Sequence, residues 1–210
     1  MPVLPAVVLL LTILPLAAQP QQSYFRPSLL FREDWKETPA EKPVTAGHLA
    51  NPNLILSLHG PGKTGIKKSH HDKPADDPFY IWSGEAPANW AVSLRHKAGP
   101  VDLSGQARIR WRSKQAGFRL LRLILQLADG TWLIGDQFDP PSVDWREHEF
   151  ILAGIRWRQL RIGPISESKW VEKPNLARVS EIGFTDLMPG GGSDACSRLD
   201  WIEVYGRLAQ

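Results

Sequence analysis

The chain has a single cysteine, Cys196, in 210 residues. That excludes an internal disulfide framework and any cysteine-rich zinc module. It has no Asn-x-Ser/Thr acceptor for N-glycosylation. No apolar pattern with a 3.6-residue period runs beyond about ten residues, so long amphipathic helices are not expected. Charge of one sign is also scarce: 25 Lys+Arg against 22 Asp+Glu leave a net charge of +3. That excess is too small to argue for a nucleic-acid partner. With 17 Gly and 18 Pro a coiled coil is disfavoured, while 42% hydrophobic residues match a folded globular chain. One count stands out: nine tryptophans.

The first residues read as an address. Pro2–Leu16 are apolar apart from Thr12 and are followed by Ala17-Ala18-Gln19. A short apolar run ending in small residues predicts a secretory signal peptide over residues 1–18, with a secreted, periplasmic or otherwise extracytoplasmic product. The run is shorter than the ~20 residues a spanning helix needs, so no membrane span is expected after cleavage. Residues 19–52 read as an N-terminal extension with a first strand, and the Pro-rich stretch Pro39–Pro52 as a lead-in loop. Residues 53–210 read as the body of one domain that includes 31–52.

That body is predicted to be all-β. Short apolar runs separated by Gly, Pro or Asp fall at Leu54–Leu58, Phe79–Trp82, Trp90–Arg95, Ala107–Ser113, Leu120–Leu127, Thr131–Gln137, His148–Leu152, Ile155–Ile162, Glu181–Asp186 and Leu199–Tyr205. Ten short strands with such turns predict a β-sandwich or jelly roll. Asp129-Gly130 marks a hairpin. A two-residue loop there sets Gln126 opposite Leu133 and Arg122 opposite Gln137, giving an apolar face and a mixed face carrying Arg122, Gln126 and Gln137. Arg110 and Arg112 are expected to join the mixed face. The same register puts Asp136 on the apolar face, which requires either a bulge or a paired buried acid. In Ile155–Ile162 the alternation changes phase, and a β-bulge near Gln159 would restore it. Trp111, Trp157 and Trp201 are expected in the core.

Four stretches carry a resemblance. Val179-Ser-Glu-Ile-Gly-Phe184 is followed by the Gly-rich loop Asp186–Ser193 and by Ser197-Arg-Leu-Asp-Trp-Ile-Glu-Val-Tyr-Gly206. Val101-Asp-Leu-Ser-Gly-Gln-Ala-Arg-Ile-Arg110 reads as a turn before a central strand. The pattern resembles galactose-binding-like jelly-roll domains of the carbohydrate-binding-module type. The resemblance implies a polysaccharide or oligosaccharide partner. It also implies a structural Ca2+ between an acid near the first strand, Glu33 or Asp34, and Asp200 in the last, completed by backbone carbonyls.

The chemistry-bearing residues divide into two sets. Trp82 and Trp132 offer flat apolar surfaces for sugar rings. Arg95, Arg110, Arg112 and Arg122 offer planar forks that suit acidic groups, and Gln126 and Gln137 add polar contacts. This is the expected binding set. The long polar loop His59–Pro78 holds His70-His71-Asp72. On an enzyme, His70, His71, Tyr80 and His96 would supply acid and base. The Gly-Pro-Gly-Lys-Thr run in that loop lacks the first glycine of a phosphate-binding loop, since Ser57 stands in its place. Three functions remain open: a carbohydrate-binding domain, a polysaccharide lyase or glycoside hydrolase on the same scaffold, and an envelope protein-interaction domain.

Overall fold

The computed structural model describes residues 26–210. The expected signal segment, residues 1–18, and the start of the extension lie outside the described residues. Fifteen strands form: β1 (Leu29–Glu33), β2 (Leu54–His59), β3 (Lys67–Ser69), β4 (Tyr80–Trp82), β5 (Ala91–His96), β6 (Val101–Asp102), β7 (Arg108–Gln115), β8 (Leu121–Leu127), β9 (Trp132–Asp139), β10 (Arg146–Ile151), β11 (Trp157–Arg161), β12 (Ser166–Val171), β13 (Val179–Thr185), β14 (Ser197–Tyr205) and β15 (Arg207–Leu208). Among the described residues no helix is long and apolar enough to cross a membrane.

The strands make two antiparallel sheets, the jelly-roll sandwich expected from the sequence. One is six-stranded, ordered β10-β7-β14-β4-β3 with β1 also on β14. The other is nine-stranded, ordered β12-β11-β9-β8-β13-β5-β2 with β6 and β15 at its side. Because β1 pairs with β14 over Leu29↔Tyr205 to Glu33↔Ile202, the first and last long strands lock together.

Period-two alternation decides the core. On β7, Ile109, Trp111, Ser113 and Gln115 are buried, while Arg108, Arg110 and Arg112 face outward. On β8, Leu121, Leu123, Leu125 and Leu127 pack inward. A buried indole brings an N–H that needs an acceptor. Trp111 Nε1 donates to Asp139 Oδ2 at 2.9 Å, and the same carboxylate accepts from Ser113 Oγ and Arg146 Nη2. Asp139 is fully enclosed.

Several expectations are corrected. The β8–β9 hairpin pairs Gln126 with Trp132 and Leu125 with Leu133, one residue away from the expected register. Its loop holds three residues rather than two: Leu127 N donates to Thr131 O, and Gly130 adopts φ 86°. A three-residue loop with a left-handed glycine is the next common hairpin solution. Leu133 therefore turns into the core and Trp132 turns out with Gln126. A bulge between Arg122 and Ile124 then re-phases the pair, so Arg122 faces Phe138 instead of Gln137. Asp136 is only half-buried and accepts from Arg156 N at 3.0 Å. The bulge expected near Gln159 is present between Arg158 and Leu160.

Trp111 and Trp157 lie in the core as expected. Trp201, by contrast, is 6% exposed but sits outside the core cluster. It pairs with Arg112 across the sheet and lies beneath Arg32, whose guanidinium carbon is 4.3 Å from its ring centre. A bulge between Leu199 and Trp201 turned it outward. The segment His59–Pro78 is not a structureless loop either: it supplies β3, and Lys68 within it is completely buried.

Candidate binding face on the nine-stranded sheet

Cross-strand partners share a face, so the pairing determines which side chains meet on the outside of the nine-stranded sheet. One row pairs Ile55 with Arg95 across β2 and β5 and Glu181 with Gln126 and Trp132 across β13, β8 and β9, and continuing the Ile182↔Leu94 register by one residue sets Arg95 beside Glu181. From Arg95 to Trp132 that is three inter-strand spacings, roughly 14 Å. Arg95 is exposed and Ile55, Glu181 and Gln126 are half-buried, so the row is an open polar track rather than a cavity. The next row holds Ser57, Ser93, Gly183, Ile124 and Ile134. Glycine is needed at 183 because a Cβ there would stand 2.0 Å from Val92 O.

Trp132 rests on a second apolar cluster of Ala91, Ile124, Ile134, Leu160 and Ile165. The His59 ring meets it edge-on, with centroids 4.9 Å apart at 65°. Asn89 Nδ2 donates to Ile165 O at 3.0 Å and holds the covering turn in place. This makes Trp132 a rigid, mostly covered rim of the track.

Behind the row is a polar relay. Ser93 Oγ donates to Glu181 Oε2, and His59 Nε2 lies 2.8 Å from the same hydroxyl. With its proton on Glu181, Ser93 accepts from His59, which fixes the imidazole proton on Nε2. A nucleophilic serine must give its proton to its base. Here the proton points away from the imidazole, and Ser93 is fully buried, so the hydroxyl acts as a strut. Burial opposes ionisation of Glu181, but the hydrogen bonds from His59 and Ser93 and the charge of Arg95 outweigh it, and its pKa lies below the ordinary value.

Of the expected binding residues, Arg95, Gln126 and Trp132 therefore come together. Arg122 shares the face but is committed: its Nε donates to Gly135 O at 2.8 Å and it pairs with Glu167 at 2.8 Å. Gln137 sits beside the bulge and donates to Gly154 O at 3.1 Å. Trp82, Arg110 and Arg112 belong to the six-stranded sheet, so the expectation that Arg110 and Arg112 join the face is corrected. Both are ion-paired there, Arg110 with Glu147 and Glu203 and Arg112 with Asp200 at 2.7 Å. Trp82 packs against the Gly84 backbone and beneath Lys67. Sequence reasoning missed His59, Ser93 and Glu181. Alternation along β2 and β5 placed the first two on this face. Alternation with the core residues Ile182 and Phe184 along β13 places Glu181 on it as well.

The acid–base candidates separate. His71 and Tyr80 meet: Tyr80 Oη is 3.0 Å from His71 Nδ1, and Asp77 Oδ2 is 3.0 Å from the same nitrogen. Tyr80 is 2% exposed and burial raises its pKa, which makes it a poor proton donor to a bound chain. His70 stacks on Phe79, with centroids 4.0 Å apart. His96 stands on the other sheet, beside Phe31. The four do not form one site.

The residues expected to hold calcium do not fit it. Glu33 accepts three backbone N–H groups, from Trp35 at 2.8 Å, Ala50 at 2.7 Å and Asn51 at 3.0 Å. Asp34 pairs with Arg32 and Asp200 with Arg112. A calcium shell needs six to eight oxygens turned to one point. These carboxylates instead serve backbone amides and guanidinium groups. Among the described residues no group of three His, Cys, Asp or Glu side chains is placed to hold a metal.

No protein-family profile matches the chain, and no curated protein matches it in sequence. Solved structures do. One is a family 11 carbohydrate-binding module from Clostridium thermocellum in complex with a β-1,3-1,4-mixed-linked tetrasaccharide, at 14% identity and TM-score 0.45, covering 83% of this chain and 100% of that one. Another is a family 29 carbohydrate-binding module from Piromyces equi, at 14% identity and TM-score 0.43, covering 84% and 91%.

Proposed function

We propose that this chain is an extracytoplasmic carbohydrate-binding domain that holds a polysaccharide along the outer face of its nine-stranded sheet without altering it. The observation that carries the reading is the row Arg95–Glu181–Gln126–Trp132, donors and acceptors delivered by four adjacent strands onto an open track. A linear glycan offers hydroxyls along its length and apolar ring faces. A track of spaced polar groups with an indole rim suits that chemistry. The engaged Ser93 and the dispersed His70, His71, Tyr80 and His96 favour binding over turnover. The segment 1–18 supports export.

The test is affinity electrophoresis of the protein through gels cast with neutral and uronic-acid polysaccharides. Retardation by one polymer is expected, reduced about tenfold in apparent affinity by Arg95→Ala or Gln126→Ala. Each removes polar contacts on the track worth roughly 1.4 kcal/mol. Full retardation in both variants, or none by any polymer, overturns the reading.

A further inference from the structure

Among the described residues six arginines lie over aromatic rings, and five also have a carboxylate within 4 Å. Arg32 has Asp34 and Glu203, Arg108 has Glu149, Arg110 has Glu147 and Glu203, Arg112 has Asp200, and Arg158 has Glu167. The sixth is Arg156. Its guanidinium carbon is 4.2 Å from the Trp170 ring centre, yet among the described residues it has no carboxylate partner and its side chain donates no hydrogen bond. Its backbone is nonetheless fixed, N donating to Asp136 Oδ1 at 3.0 Å and O accepting from Asp136 N at 2.9 Å.

Stacking uses the face of a guanidinium and leaves the N–H groups on its edge free. Arg156 is thus held in position with its donors unspent, and it lines a cleft of about 320 Å³ at the β11–β12 edge of the sandwich. That volume is at the lower end of small-ligand sites. The cleft has an apolar floor of Ile155, Trp157 and Val171, and Lys173, Glu172 and Trp170 also line it. Lys173 adopts φ 46°, a left-handed conformation unfavourable for lysine, and among the described residues it has no carboxylate within 4 Å. Two unpaired cations against Glu172 leave the cleft positive.

We propose that this cleft binds a single uronate sugar. The carboxylate sits on the edge of Arg156 and near Lys173, the ring lies on the apolar floor, and Glu172 accepts a hydroxyl. The site is separate from the polar track. That the ring is a sugar rests on the proposed carbohydrate binding; that the ligand is anionic rests on the cleft alone.

The test follows the Trp170 indole N–H by NMR in the whole protein at low salt, its signal assigned from Trp170→Phe. The probes are D-galacturonate, D-galactose and D-galactose 6-sulfate. Galacturonate is expected to shift the signal with a dissociation constant at least tenfold below that of galactose. Arg156→Gln is expected to abolish the preference, with the other indole signals in place to show an intact fold. Arg161→Gln, an exposed charge outside the cleft, is expected to leave it unchanged. Equal response to galacturonate and galactose, a preference that survives Arg156→Gln, or selective binding of the sulfate overturns the proposal. Polysaccharide retardation without galacturonate binding sinks this cleft alone. Galacturonate binding without retardation by any polymer sinks the polar track alone.

Discussion

The His59 ring and the Glu181 carboxylate approach to 3.7 Å from two strands that are not neighbours, with the Ser93 hydroxyl of the intervening strand bridging them. The bridge ties β2, β5 and β13 together on the face proposed to hold glycan. It also makes that face sensitive to acid.

The folded pKa of Glu181 lies below its ordinary 4.5, so the folded protein releases this proton more readily than the unfolded chain. The stabilisation is fully present above that ordinary value and is lost as pH falls through the depressed one. Urea unfolding of the parent and Glu181→Gln between pH 7 and pH 3 should show a stability gap that is widest near neutrality and closes in acid. A gap that stays constant over that range contradicts the relay.

Lys68 shifts stability in the same sense, in a more alkaline window. Burial lowers its pKa from 10.5 to about 8, despite the nearby charge of Glu37. Between those values the unfolded chain binds more protons at this site than the folded one, so stability rises with pH there. The ammonium is held by Thr38 O at 2.7 Å and by the Phe79 ring at 4.2 Å. In thermal melts from pH 7.5 to 10.5, the parent should gain stability relative to Lys68→Met as pH rises. Parallel curves would show that the amine does not change charge in that window.

Arg119 and Asp186 form an ion pair that is 4% and 0% exposed at 3.1 Å, and Ser197 Oγ donates to the same carboxylate at 2.9 Å. Burial raises the Asp186 pKa although Arg119 opposes it. Removing one partner strands the other, so Arg119→Leu should destabilise by about 3–5 kcal/mol in urea unfolding. Arg119→Leu with Asp186→Asn should recover part of that loss. A double variant no better than the single one would mean the pair adds nothing beyond its packing.

Much of the architecture is legible in the sequence. The alternation of Ile109 and Trp111 against Arg108, Arg110 and Arg112 is a property of one strand, and period two alone assigns its sides. The phase change in Ile155–Ile162 likewise announced its own bulge. Reading failed where two strands had to be aligned. Asp129-Gly130 fits a two-residue or a three-residue loop, and the choice moves every β9 side chain to the other face. That one residue sent Leu133 inward and Trp132 outward. A bulge beside Asp200 turned Trp201 out of the core under Arg32. β12, with its polar Ser166-Glu167-Ser168-Lys169, carries no apolar alternation, and its pairing comes entirely from β11.

The same division holds for function. Side-chain chemistry alone nominates Arg95, Gln126 and Trp132 for the proposed glycan face, because donors, forks and indoles are properties of residue types. Sheet assignment decided which of the candidates meet, because Arg110 and Arg122 lie on consecutive strands, β7 and β8, that belong to opposite sheets. The sequence alone determined an all-β sandwich rich in tryptophan and balanced in charge, since alternation and turn chemistry act within a few residues. That Arg110 and Arg112 are spent on carboxylates while, among the described residues, Arg156 is not was settled by the fold, because ion pairing depends on which strands are neighbours and sequence spacing does not carry that information.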